Sequence, residues 1–171
     1  DHGLEFVMYS PASDDELEAI FLKRQNHMIL TRDEELKFKT AFMVFMGREC
    51  NRLNWTMQLH YGVKRDNNKA MFKKIGPDTG FDCICNNSPS WQLADYLNEL
   101  ALTDELPRTI IYSLNPNDNP AIGTIIGCFQ DSSAVAKIQQ GSAWWFNDHK
   151  VGMQDQMTSL ANLGILSGFV G

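Results

Sequence analysis

The chain has 171 residues, with 15 Lys and Arg against 21 Asp and Glu, a net charge of −6 with histidine neutral, and 43% hydrophobic residues. That length fits one globular domain with a buried core, and the negative balance argues against a general nucleic-acid binder, which needs a basic face for phosphates. No apolar run approaches the ~20 residues of a membrane-spanning helix, and Asp1-His2-Gly3 lacks the basic head and apolar stretch of a signal peptide. Cys50, Cys83, Cys85 and Cys128 form neither a C-x-x-C pair nor a zinc-ribbon spacing. Reduced thiols in a soluble cytoplasmic protein, with no membrane partner, are the expectation.

In chain order, Leu4-Glu5-Phe6-Val7-Met8-Tyr9 reads as extended and ends at Ser10-Pro11. Ser13-Asp14-Asp15-Glu16 has the form of a capping box, and Thr31-Arg32-Asp33-Glu34 repeats it ahead of a long helix running to about Leu53. Trp55-Thr56-Met57-Gln58-Leu59-His60 is strand-like and ends at Gly62. Residues 63–88 form a long polar stretch rich in Gly, Asn and Asp, and loops of that length tend to be functional. A helix is expected over 89–102, with Trp91, Ala94, Leu97 and Ala101 on one stripe. A buried-type strand at 108–114, a helix at 121–129, a strand at 136–140 and a helix at 152–163 follow, and 165–171 resembles the start of another strand. Strands alternating with helices imply parallel strands joined by crossover helices. A closed eight-stranded barrel needs ~250 residues, so the pattern reads as part of a domain.

In parallel α/β folds the chemistry sits at the carboxyl ends of the strands. The polar and aromatic residues there are Asp1-His2, His60 with its following loop, Ser113 to Asn115, and Trp144 to Asp148. His60 suits proton transfer or metal binding near neutral pH, against the plainer reading of a packing histidine at a strand end. Arg65 suits a bidentate carboxylate clamp, against a solvated arginine. Trp144-Trp145 can lay one indole over a ligand, with the other facing away; one Trp in the core and one at the rim serves packing equally well. Asp148 reads foremost as a helix N-cap. There is no Walker loop, G-x-G-x-x-G, G-x-S-x-G or H-E-x-x-H.

Several segments taken together are familiar. Trp55-Thr56-Met57-Gln58-Leu59-His60-Tyr61-Gly62 with Arg65-Asp66-Asn67-Asn68, then Ile75-Gly76-Pro77-Asp78-Thr79-Gly80-Phe81-Asp82, resembles the uronate (glucuronate) isomerases. So do Tyr112-Ser113-Leu114-Asn115-Pro116-Asn117-Asp118-Asn119 and Gly141-Ser142-Ala143-Trp144-Trp145-Phe146-Asn147-Asp148, the last being the most specific, and the likeness runs through all 171 residues in order. The resemblance implies an amidohydrolase-type (β/α)8 TIM-type barrel, of which this chain supplies about strands four to eight, incomplete at both ends and with no separate second domain. It implies interconversion of aldose and ketose uronates, D-glucuronate to D-fructuronate and D-galacturonate to D-tagaturonate, in bacterial hexuronate catabolism. The partner is then a small hexuronate sugar acid, and the assembly a homo-oligomer.

Carried over by that likeness, Asp1, His60, Arg65 and Trp144 match active-site positions: His60 and Asp1 catalytic, Arg65 and Trp144 substrate-binding. The family's usual run of asparagines after the arginine begins here with Asp66, which alters the local charge of the loop. The family's divalent metal, zinc, is held by an H-x-H pair and a late Asp that this stretch does not contain, so no metal ligand is expected within it. The stretch alone is expected to be inactive. Two other readings stay open: a metal-dependent hydrolase of the amidohydrolase type, and a segment with no independent activity.

Overall fold

The computed structural model describes residues 4–87 and 89–169. Helices α1 (Asp14–Gln25) and α2 (Arg32–Arg52) lead into strands β1 (Met57–Tyr61) and β2 (Val63–Lys64), helix α3 (Lys69–Ile75) and strand β3 (Cys83–Ile84). Helix α4 (Ser90–Leu102), strand β4 (Thr109–Ser113), helix α5 (Asn119–Cys128), strand β5 (Ile138–Gln140) and helix α6 (Lys150–Leu163) complete the order, with short 3-10 turns at Pro116–Asp118, Trp145–Asn147 and Leu166–Gly168. The chain divides into two compact units, residues 8–57 with 91–107, and residues 1–7 with 58–90 and 108–171.

The first unit is helical. Both capping boxes form: Ser13 Oγ accepts from the Glu16 amide while Glu16 accepts from the Ser13 amide at 3.0 Å, and Thr31 and Glu34 repeat the exchange, with the Thr31 amide donating to Glu34 at 2.7 Å. Each box satisfies two amides that the first helical turn leaves without partners. α2 and α4 approach closely at Gly47, where a Cβ would lie 2.5 Å from Leu100 Cδ1. The Tyr96 hydroxyl donates to the Met43 carbonyl at 2.9 Å across the same contact. The buried stripe of α4 is Leu93, Tyr96, Leu97 and Leu100, which shares Leu97 with the expected stripe and differs elsewhere: Trp91 and Ala101 are exposed and Ala94 is intermediate. A large apolar side chain near a helix start does not fix the phase of the buried face; the i, i+3, i+4, i+7 set does.

The second unit is α/β. Its sheet has the order β1-β4-β5, and β4 pairs with β5 in parallel, Thr109 opposite Ile138 and Ile111 opposite Gln140. These strands lie where the sequence expects them. α5 packs on α6 and on β5, and the core of this unit includes Leu59, Ile111, Leu114, Ile122 and Ile138. Residues 63–87 form more than a single loop: β2 and β3 pair antiparallel, Val63 with Ile84, around α3. Gly62 makes the step from β1 to β2, at φ +89, and a Cβ there would lie 2.9 Å from Ser113 Oγ.

Three smaller expectations are revised. The segment from Leu4 makes a single parallel bridge to Tyr61 rather than a strand. His149, not Asp148, caps α6, its Nδ1 accepting from the Gly152 amide at 3.1 Å. Leu166–Gly168 is a 3-10 turn rather than the start of a strand, and residues 170–171 of that expected strand lie outside the described residues.

Candidate active site

His60 is the penultimate residue of β1 and Tyr112 the penultimate residue of β4, its neighbour in the sheet. Alternation along a strand sends both side chains to one face. The imidazole and phenol rings stack with centroids 4.1 Å apart and planes 7° from parallel. Trp144, beyond the end of β5, meets the same imidazole edge-on at 4.7 Å and 77°. The half-buried phenol is pushed above its ordinary pKa by desolvation, so it stays protonated at neutral pH.

Arg65 follows β2. Its Nη1 donates to Asp82 Oδ2 at 2.8 Å, and its Nη2 donates to Asp78 Oδ1. The Asp82 side chain is only 7% exposed, and its other oxygen accepts from the Asp66 amide at 2.9 Å; the Asp78 side chain is 70% exposed. Asp66 sits at φ 51, in the left-handed region that Asn and Asp both tolerate. The exchange of asparagine for aspartate at that position is therefore conformationally neutral. The Arg65 guanidinium also lies 5.9 Å over the Trp145 ring, a cation–π contact.

Arg65, Asp78, Gly80, Asp82, Trp144 and Trp145 line one open cleft of about 530 Å³. Both tryptophans therefore serve the same cleft, against the expectation that one faces away. The reason is Trp145's φ of 51, which breaks the alternation of an extended segment as the chain enters a 3-10 turn. Their rings lie 5.6 Å apart, and Trp145 stacks on Phe146 at 4.9 Å. The indole Nε1 of Trp144 is buried and has no hydrogen-bond acceptor among the described residues. Such a donor is costly to leave unmade, and a ligand oxygen would satisfy it.

The structure thus links His60, Trp144 and Arg65 through adjoining aromatic contacts. Asp1 lies outside the described residues. Ser113 and Asn115 are committed locally: Ser113 donates to Asp118 at 2.7 Å, and Asn115 accepts from the Asn117 amide at 3.2 Å. Tyr112 is not among the candidates the sequence offers, whereas Trp145 is, as one of the Trp144-Trp145 pair. The signal for Tyr112 was its strand position, matching that of His60. Among the described residues no group of three or more His, Cys, Asp or Glu side chains converges to hold a metal. A second hollow of about 190 Å³, lined by Ile126, Ile138, Leu160 and Leu163 among others, is apolar and carries no charged group for an acidic ligand.

The glucuronate isomerase family model matches residues 1–171. A uronate isomerase of Lachnoclostridium phytofermentans is 66% identical over all 171 residues, and one of Lachnospira eligens is 63% identical. The chain spans 37% and 36% of their lengths, respectively. The crystal structure of uronate isomerase from Thermotoga maritima superposes with a TM-score of 0.83 at 32% identity, covering 95% of this chain and 34% of that one. Matched by the family model from its first residue to its last, the chain belongs to the glucuronate isomerase family.

Proposed function

We propose that this chain forms the part of a uronate isomerase that binds the sugar acid and handles protons at its C1 and C2 oxygens, within one incomplete (β/α)8 barrel domain of the amidohydrolase type. The observation that carries the reading is the convergence of a cation and two indoles on one cleft, with the His60 imidazole against one of those indoles. A sugar acid presents a carboxylate, an apolar ring face and a set of hydroxyls, and this lining offers a partner to each. The four free cysteines fit a reducing cytoplasm, and no helix of the described residues is long and apolar enough to cross a membrane.

Isomerisation moves a proton from C2 to C1 through a cis-enediol, while O1 gains a proton and O2 loses one. In this reading Arg65 binds the substrate carboxylate, which is remote from the reacting carbons, and so orients the sugar. Trp144 lies along the sugar and offers its indole N–H to a hydroxyl. His60 polarises the carbonyl oxygen and supplies its proton as the enediol forms. Asp1 orients a hydroxyl. A divalent metal such as zinc belongs to the same reading of the family, but the described residues offer no donor set that fits one.

The test is Arg65→Met in the full-length enzyme, assayed with D-glucuronate and with D-glucose as the neutral control. A hydrogen bond to a charged group is worth about 1.5–3 kcal/mol, so kcat/KM for the uronate should fall at least tenfold. The control, which has no carboxylate to lose, should change little. Equal losses on both sugars, or none on either, would remove the clamp.

A further inference from the structure

His60 is held on two sides. Tyr112 faces it at 4.1 Å with nearly parallel rings, and Trp144 meets it at 4.7 Å with its plane 77° away. An imidazole in that position cannot turn about its Cβ–Cγ bond without displacing the phenol. The phenol has its own constraint. Gly141 stands directly after β5, its amide donating to the Ile111 carbonyl of β4 at 2.9 Å. A Cβ on Gly141 would lie 2.1 Å from Tyr112 Cε1, 2.3 Å from Cδ1 and 2.4 Å from Cζ. Those are separations no methyl can occupy, and the obstacle is a ring fixed in a stack rather than the free end of a flexible chain. Across three neighbouring strands, Gly141 makes room for Tyr112, and Tyr112 sets the plane of His60.

We propose that Tyr112 is a positioning residue for His60 and that Gly141 is glycine to admit its ring. The inference rests on the role given above to His60. Burial keeps the phenol neutral at working pH, so the ring orients the imidazole without opposing either of its charge states. Orientation matters because proton transfer requires the imidazole nitrogen within hydrogen-bond reach of the oxygen it serves. The aromatic face supplies that orientation, and the hydroxyl does not.

The experiment uses Tyr112→Phe, Tyr112→Leu, Gly141→Ala and His60→Asn in the full-length enzyme, with two readouts. The first is kcat and KM for D-glucuronate. The second is the carbon-bound ring-proton resonances of His60 in histidine-labelled protein, assigned by their loss in His60→Asn. A stacked phenol displaces those resonances upfield whether or not the enzyme turns over. Tyr112→Phe should keep both the displacement and the turnover. Tyr112→Leu should lose the displacement and about tenfold in kcat with KM little changed, the pattern of a group that acts in the transition state. Gly141→Ala should reproduce Tyr112→Leu; if it fails to fold, the Phe and Leu pair decides alone. Unmoved His60 resonances or undiminished kcat in Tyr112→Leu would overturn the proposal, as would a Tyr112→Phe variant as impaired as Tyr112→Leu. His60→Asn separates this claim from its foundation: full turnover there removes the role of His60, whereas a large loss there with normal turnover in Tyr112→Leu removes only Tyr112.

Discussion

Arg65 holds two carboxylates, and they are not equivalent. Asp82 is nearly buried and engages the Asp66 amide with its second oxygen, so it belongs to the framework. Asp78 is largely solvent-exposed on the segment between α3 and β3, and it pairs with Nη2 while Asp82 pairs with Nη1. With both attached, the cluster sums to −1, which repels a sugar acid. On the proposed reading the substrate carboxylate takes the place of Asp78, while Asp82 keeps the guanidinium aimed. Asp78→Asn removes the competing charge and should lower KM for D-glucuronate about three- to fivefold with kcat unchanged, the scale of an exposed ion pair. The gain should shrink with added salt; a KM that rises would mean that Asp78 helps to hold the substrate. His60 and Arg65 stand out as candidates in the sequence because a strand end and the loop after it carry meaning by position. Tyr112 shares that position but is masked by its chemistry, since tyrosine is an ordinary strand former. Trp145 was misread because its left-handed backbone breaks the alternation on which the reading relied.

Local rules read well wherever the bonds are local. Both capping boxes span four residues, and the sequence pattern alone located them. The second has a further consequence for acid stability. Glu34 accepts from Lys23 at 2.8 Å and from the Thr31 amide, and its carboxyl is held down to about 2 by those hydrogen bonds, with Lys23 the larger influence. A carboxyl depressed on folding stabilises the native state above its unfolded pKa of about 4.3 and loses that contribution as pH falls through the folded value. Glu34→Gln should therefore lower Tm at pH 7, with the gap to the parent chain closing between about pH 5 and pH 2. Thermal melts by circular dichroism across that range test it, and a gap that stays constant with pH would rule out the linkage. Where partners are distant in sequence, the reading weakened. The phase of α4 depends on what packs against it, and the order in residues 63–87 depends on the antiparallel pairing of β2 with β3 across about twenty residues, which no short window contains.

At the scale of the molecule, the strand–helix rhythm gave the parallel pairing of β4 with β5 and the α/β class. What composition could not give is which apolar surface is covered. Helix α2 carries two apolar stripes. Thr40, Val44 and Gly47 are buried, whereas Phe38, Phe42, Phe45 and Met46 fall at i, i+4, i+7 and i+8 on another face and stay open, with Phe42 56% and Phe45 58% exposed. A helix apolar on more than one face is normally enclosed on each of them, and a contiguous exposed patch of this kind drives association. The 171-residue chain by itself should self-associate in a concentration-dependent way, through α2. Phe42→Ser with Phe45→Ser should suppress that association without lowering Tm, because neither side chain contributes to the buried stripe. Sedimentation velocity over a hundredfold concentration range, paired with thermal melts of both chains, makes the comparison. A parent chain that stays monomeric throughout, or a double variant that associates as strongly, would show that the exposed stripe of α2 is inert.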